Sequence, residues 1–302
     1  MDRPEPLQRV QAAARGAVMT PDYSPLWQWI KEREEVRRRK DAGEPHPWTA
    51  DEVIGTYRFC NVRREDDRGT LWIRENIRER FAGHPYLWLM LCIARQINWP
   101  DTLAELIAEQ AWPLDETFAP ASMTAILNTR KARGDKVYTG AYMISAPATK
   151  GADKQSYIAE TVIGALWRRR EHFPTWNVSL RRVHEWITAS NGWGMFMAYQ
   201  AVVDMRFTPI LEAAPDVGSW AAAGPGTLRG LNRIHGRTVD HPLGQTPALM
   251  EMRAIYKIVE RETGVGMDFS DVPNILCETD KYLRVRLGQG KPRALYVPGR
   301  GS

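Results

Sequence analysis

NGWGMFMAYQAVVDM, residues 191–205, is the stretch on which the reading of this chain turns. Gly192 and Gly194 bracket Trp193, an apolar run of helical length follows, and Asp204 is the only acid in it. Glycine reaches positive φ without strain and lets another group approach the backbone closely. A Gly-x-Gly at a helix start therefore has two readings. One is a tight turn into a packed helix. The other is a hairpin whose first-turn amides point outward and, with the helix dipole, hold an anion such as a DNA phosphate. Asp204 divides the same way. It either bonds locally near the helix end or faces a cleft, where burial raises its pKa and suits it to general-base work. A second Gly-x-Gly lies in AAGPGTLRGLN (222–232), with Gly224 and Gly226 at a helix start and Arg229 and Asn232 along it.

Outward from these hairpins the signals are helical. LWQWIKEREEVRRRKDAGEPHPW (26–48) reads as a helix with a solvated charged face, stopped by Gly43 and the prolines. Thr49 with Glu52 reads as a capping box. YLWLMLCIARQIN (86–98) and DTLAELIAEQAW (101–112) read as short apolar helices, the second capped by Asp101. SMTAILNTRKARG (122–134) ends at Gly134, and SLRRVHEWITAS (179–190) starts from a Ser179 cap. KVYTGAYMIS (136–145) suits a strand pair or a loop, and the first 25 residues read as loosely ordered. Strictly alternating stretches are few. The expected fold is mainly α, with an N-terminal helical extension over 1–48 and one helical domain over 49–302.

The chain of 302 residues is long enough to bury a sizeable core, and its 25% charged residues are ordinary for a globular protein. A formal charge of +5 mildly favours a polyanionic partner and does not by itself establish one. Twelve tryptophans serve cores, and they also stack on exposed bases. Cys60, Cys92 and Cys277 form no CxxC pair, and their odd number argues for a reducing cytoplasm. No apolar signal region or bilayer-length run is seen, so a soluble, non-secreted chain without a membrane role is expected.

Two further segments concentrate chemistry. In YRFCNVRREDD (57–67), Arg58, Arg63 and Arg64 alternate with Asn61 and the acids Glu65, Asp66 and Asp67. Arginine forks suit phosphates, and the interleaved Tyr57, Phe59 and Val62 argue for partial burial; a surface salt-bridge lattice is the alternative. In LCETDKYLRVRLGQGKPR (276–293), Glu278, Asp280, Lys281 and Arg284 crowd one short segment ahead of a phosphate-loop-like Gly-Gln-Gly-Lys. The spacing GxxxxGK[ST] is absent from the chain, which argues against an autonomous P-loop kinase. The six histidines show no HExxH or zinc spacing, and there is no GxSxG elbow.

Taken together, YRFCNVRREDD, the pair GWGMFMAYQAVVDM and GPGTLRGLN, and LCETDKYLR with GQGKPR resemble a bacteriophage family of DNA base hypermodification. It is the α-glutamyl/putrescinyl thymine pyrophosphorylase family, or amino acid:DNA transferases, to which the helical domain of 5-hydroxymethyluracil DNA kinases is related. The likeness spans roughly residues 50–298. It implies a helix-hairpin-helix, DNA glycosylase-like fold without the lysine nucleophile that often follows the glycosylase hairpin. It implies double-stranded DNA carrying a modified thymine as substrate, an amino acid such as glycine or a polyamine as co-substrate, and a functional link to a DNA base kinase. The implied setting is the cytoplasm of an infected bacterium. The implied reaction displaces pyrophosphate from 5-pyrophosphoryloxymethyluracil with an amine, the base leaving the stack first. No cofactor is expected, with Mg²⁺ as an optional helper of the leaving group. By the same resemblance Asp204, then Glu278 and Asp280, are the candidate bases. Arg58, Asn61, Arg63, Arg64, Asp66 and Lys281 would bind pyrophosphate or base. Gly192, Trp193, Gly194, Gly224, Gly226, Arg229 and Asn232 would meet DNA. The competing readings are a glycosylase that excises a modified base and a non-catalytic DNA-binding partner of a separate kinase.

Overall fold

A computed structural model describes residues 20–140, 153–292 and 294–296. The opening segment before residue 20 and the second half of KVYTGAYMIS lie outside them. The described residues are mainly helical, as expected, and contain no strand; one antiparallel bridge joins Tyr57 to Leu295. In chain order the α-helices are α1 (Ser24–Asp41), α2 (Glu52–Thr56), α3 (Arg68–Ile73), α4 (Leu87–Ile97), α5 (Pro100–Ala108), α6 (Pro120–Ala132), α7 (Lys154–Ser156), α8 (Gly164–Arg168), α9 (Leu180–Thr188), α10 (Met195–Arg206), α11 (Pro225–Ile234), α12 (Gln245–Thr263) and α13 (Val272–Arg286). Wide π turns continue α3 over Arg74–Glu79 and join α7 to α8 over Tyr157–Ile163.

Most punctuation falls where local chemistry places it. Gly43, Gly134 and Gly264 sit at φ +73°, +79° and +74° just past α1, α6 and α12, the left-handed stop that glycine adopts without strain. Ser179 caps α9 by accepting from the Arg182 amide. Two expected caps are corrected. Asp51, not Thr49, caps α2, accepting from the Val53 and Ile54 amides at 2.9 and 3.0 Å, while Thr49 donates to Glu32. Asp101 lies inside the first turn of α5, after the N-cap Trp99 and Pro100, so its carboxylate faces the helix N-terminus from within instead of capping it.

The chain divides into two compact units, Met1–Asp67 with Ala221–Ser302, and Arg68–Trp220. In the first, α13 is central, packed by α11, α1, α12 and α2. Leu26, Trp29, Ile30, Leu231, Met252, Ile255, Phe269 and Leu276 fill its interior. In the second, α4 is the hub: all eleven of its residues are buried, and α10, α5 and both π turns surround it. A helix that is apolar all round belongs in a core. Burying each of its leucines and isoleucines contributes about 1.5–3 kcal/mol relative to exposure.

Candidate active site

The two hairpins prove unequal. At the first, Gly192 lies at φ +83°, and a Cβ there would stand 2.5 Å from Val162 Cγ2, so only glycine fits. Trp193 is buried, and its indole donates to the Val162 carbonyl at 3.0 Å. Trp193 thus anchors the turn to the π segment. Beyond it Gly194, Met195 and Phe196 are exposed, so the first turn of α10 is open to solvent. The Met195 carbonyl is held by His184 Nε2 at 2.9 Å.

The second hairpin is closed. Gly226 and Thr227 are buried, and Thr227 donates to the Pro273 carbonyl. A Cβ on Gly226 would meet Cys277 Sγ at 2.3 Å, and one on Gly230 would meet the Leu276 carbonyl oxygen at 2.3 Å. Gly226 and Gly230, four residues apart, are the small face that lets α11 lie directly on α13. Arg229 and Arg233 then reach across to Asp280, donating at 2.9 and 2.8 Å. Asn232 is buried, and its amide donates to the carbonyls of Val239 and His241.

Asp204 is fully buried, and both its oxygens are taken by Arg95 of α4, at 2.5 and 2.7 Å. Arg95 also reaches the Thr70 hydroxyl at 3.0 Å and Asn98 Oδ1 at 3.4 Å. A guanidinium inside an apolar helix is tolerable only when paired. Arg95 is the residue that pattern reading passed over. The signal was present: YLWLMLCIARQIN and MFMAYQAVVDM each carry a lone charge near the same end, of opposite sign before Arg206.

The third candidate base differs from the other two. Glu278, on α13, accepts at Oε2 from the Cys60 amide at 3.0 Å and from Lys281 Nζ at 2.6 Å. Its Oε1 has no hydrogen-bond partner among the described residues, whereas both oxygens of Asp204 and of Asp280 are engaged. Lys281 lies over the Phe59 ring, 4.6 Å from its centroid. Burial works to lower its pKa, but the Glu278 carboxylate overrides burial and the net shift is upward, so Lys281 stays charged.

Segment 57–67 folds beside this pair. Arg33 of α1 donates to the Cys60 carbonyl at 3.1 Å and to Asn61 Oδ1 at 2.6 Å. Asn61 donates its own amide to the Asp66 carbonyl at 2.7 Å, and its backbone N–H goes to Asp67 at 2.8 Å. Asn61 is thus wholly engaged in shaping the loop. Arg63 bridges Glu34 and Asp66 at 2.8 and 2.9 Å. Burial pushes Asp67 up to about 6, against the Asn61 N–H and the charges of Arg64 and Arg33, with Glu278 adding to the rise. Burial likewise pushes Asp271, which accepts from the Arg64 amide at 2.9 Å, up to about 7. Burial also holds the Cys60 thiol well above its ordinary value and lifts Cys277 to about 12, so neither is a thiolate near neutrality.

Two guanidiniums of this segment differ. Arg64 is only 6% exposed, and its charge is faced by the Asp67 and Asp271 carboxylates. Arg58 is exposed, and its side chain has no partner among the described residues. The site therefore offers one free carboxylate oxygen, an ammonium, the exposed Arg58 and the buried Arg64. Among the described residues no three His, Cys, Asp or Glu side chains gather to hold a metal. No helix of the described residues is long and apolar enough to cross a membrane.

Residues 20–291 match the family described as "5-hmdU DNA kinase, helical domain", and the chain belongs to that family. Among curated proteins, the 5-hmdU DNA kinase of Bacillus phage SP10 is 26% identical over 218 residues, which cover 65% of this chain and 33% of that protein. The chain thus matches about a third of that relative's length. No solved structure matches it.

Proposed function

We propose that this chain is a transferase of thymine hypermodification in DNA, replacing the pyrophosphate of 5-pyrophosphoryloxymethyluracil with an amine from an amino acid or polyamine. The observation that carries it is the Glu278–Lys281 pair with its open carboxylate oxygen, packed against the short segment that bears Arg64 and the exposed Arg58, whose side chain has no partner among the described residues. Arginine forks and an ammonium gathered at one site suit a diphosphate, whose oxygens accept charge-assisted hydrogen bonds. Kinship with a protein named for phosphorylating 5-hmdU in DNA fits, because its phosphorylated product is the kind of substrate such a transferase consumes.

In this reading Arg58, Arg64 and Lys281 stabilise the charge that builds on the leaving pyrophosphate. The C–O bond breaks with its electron pair on pyrophosphate, and the amine nitrogen bonds to the same carbon. The proton it sheds passes to Glu278 Oε1. Glu278 takes this role over Asp204 and Asp280 because its oxygen is free. Asn61, Arg63 and Asp66 shape the loop that carries Arg58 and Arg64. The open Gly192–Gly194 hairpin offers first-turn amides to the DNA backbone, as in a helix-hairpin-helix module.

The test is mass spectrometry of nucleosides from DNA containing 5-pyrophosphoryloxymethyluracil, after incubation with the protein and a pool of amino acids and polyamines. An amine adduct with released pyrophosphate is expected, slowed roughly 10²–10⁴-fold by Glu278→Gln. Base loss with abasic sites would make the protein a glycosylase. Unchanged DNA, given proven binding, would refute the transferase.

A further inference from the structure

Trp176 stands apart from the chain's other tryptophans. It is 78% exposed, the most exposed of the large apolar side chains among the described residues. An indole in water forgoes its burial energy and leaves a flat aromatic face free to stack. The loop that carries it is held on both sides. Pro174 is buried before it, Asn177 turns in the left-handed region at φ +47° after it, and Arg182 Nη1 donates to the Trp176 carbonyl at 2.9 Å. The backbone is fixed while the ring is presented.

The surroundings are cationic. Arg181 and Arg182 are exposed on the first turn of α9, and Arg168, Arg169 and Arg170 precede the loop in sequence. Facing acids are fewer. Glu171 pairs with Arg170, Glu185 pairs with Arg181, and Asp216 is spent on the Leu180 and Arg181 amides at 2.8 and 3.1 Å. The N-terminus of α9 is therefore already capped, and any anion here meets side chains. Between Phe173 and Arg182, Trp176 is the only exposed large apolar side chain, and its exposed neighbours are Thr175, Asn177, Arg181 and Arg182. A protein-binding hot spot gathers apolar neighbours that exclude water. A lone flat ring, with Arg182 on its own carbonyl and Arg181 next to that arginine on the exposed first turn of α9, instead matches a nucleic acid, with a base on the ring and phosphates on the arginines.

We infer that Trp176 is a stacking platform for an unstacked base of DNA, with Arg181 neutralising the adjacent backbone. This rests on the proposed action on DNA, where a base must leave the helix and the gap or the extruded base needs a flat partner. The side chain is exposed, so its removal leaves the fold intact, which a thermal melt verifies.

The experiment measures binding of the full chain to labelled duplexes, one fully paired and one with a single unpaired base, across a salt series. Trp176→Ala is expected to weaken binding to the unpaired-base duplex about 5- to 100-fold, with Trp176→Phe keeping most of the affinity. The salt slope should stay unchanged in Trp176→Ala and fall by about 1 in Arg181→Ala. Equal affinity of wild type and Trp176→Ala for that duplex, with the wild type clearly bound, overturns the stacking role alone. Loss of self-association in Trp176→Ala with DNA affinity unchanged would make the ring a protein contact and overturns it too. A wild type that binds neither duplex removes both the inference and the proposed action on DNA.

Discussion

Replacing Asp204 by alanine should unfold the second unit long before it informs on chemistry. The carboxylate gives Arg95 two charge-assisted contacts, at 2.5 and 2.7 Å, and both residues are almost wholly enclosed. In Asp204→Ala, Arg95 loses both charged contacts, while those to the Thr70 hydroxyl and to Asn98 remain. A buried cation stripped of its partner costs about 3–5 kcal/mol. For a unit of this size each kcal/mol lowers Tm by about 2–4 °C, so the fall should be roughly 6–20 °C by calorimetry or circular dichroism. Asp204→Asn keeps one acceptor and should fall between. The double variant Arg95→Met with Asp204→Leu removes both charges and fills the space, so it should regain most of the loss. A Tm within about 2 °C of wild type for Asp204→Ala would refute the structural role. So would a well-folded double variant that binds DNA normally but has lost transfer activity, because Asp204 would then act in the reaction itself.

Two other outcomes follow from the first unit. Gly230→Ala drives a methyl to within 2.3 Å of the Leu276 carbonyl oxygen, which is backbone and cannot turn aside. It should cost about 1–3 kcal/mol in urea unfolding. Gly226→Ala meets the Cys277 thiol, which can rotate, and should cost less, with Cys277→Ala relieving part of it; equal costs would show that α11 and α13 do not cross as described. The third outcome concerns pH. Folding raises Asp271 from its ordinary 3.8 to about 7, so the folded state holds a proton that the unfolded state has released. Between those values the native state binds more protons, and this group's contribution to stability falls as pH rises from about 4 to about 7, then levels. Wild type should therefore lose stability relative to Asp271→Asn across that window in urea midpoints measured at pH 5 and 8. A difference between the two that stays constant with pH would refute it.

The helical class was legible from periodicity and punctuation because both act over a few residues. Gly134 after SMTAILNTRKA and Ser179 before LRRVHEW mark ends that the backbone obeys wherever the helix docks. Local pattern also marked segments 57–67 and 276–293, which the fold packs together through the Cys60 amide on Glu278. Local pattern could not separate the two Gly-x-Gly hairpins, which look alike as strings. Tertiary packing left the first open and closed the second against Cys277 and Leu276, since the need for a small face arises only when two helices touch. Nor could it say which acid stays free. Asp204, Glu278 and Asp280 share one residue class, and their differences come from partners far along the chain: Arg95, Lys281 with the Cys60 amide, and the Arg229–Arg233 pair. Sequence sets which charges exist and which helices carry them. Only the fold, by bringing distant charges within about 3 Å in a medium of low dielectric, decides which are neutralised and which remain to act.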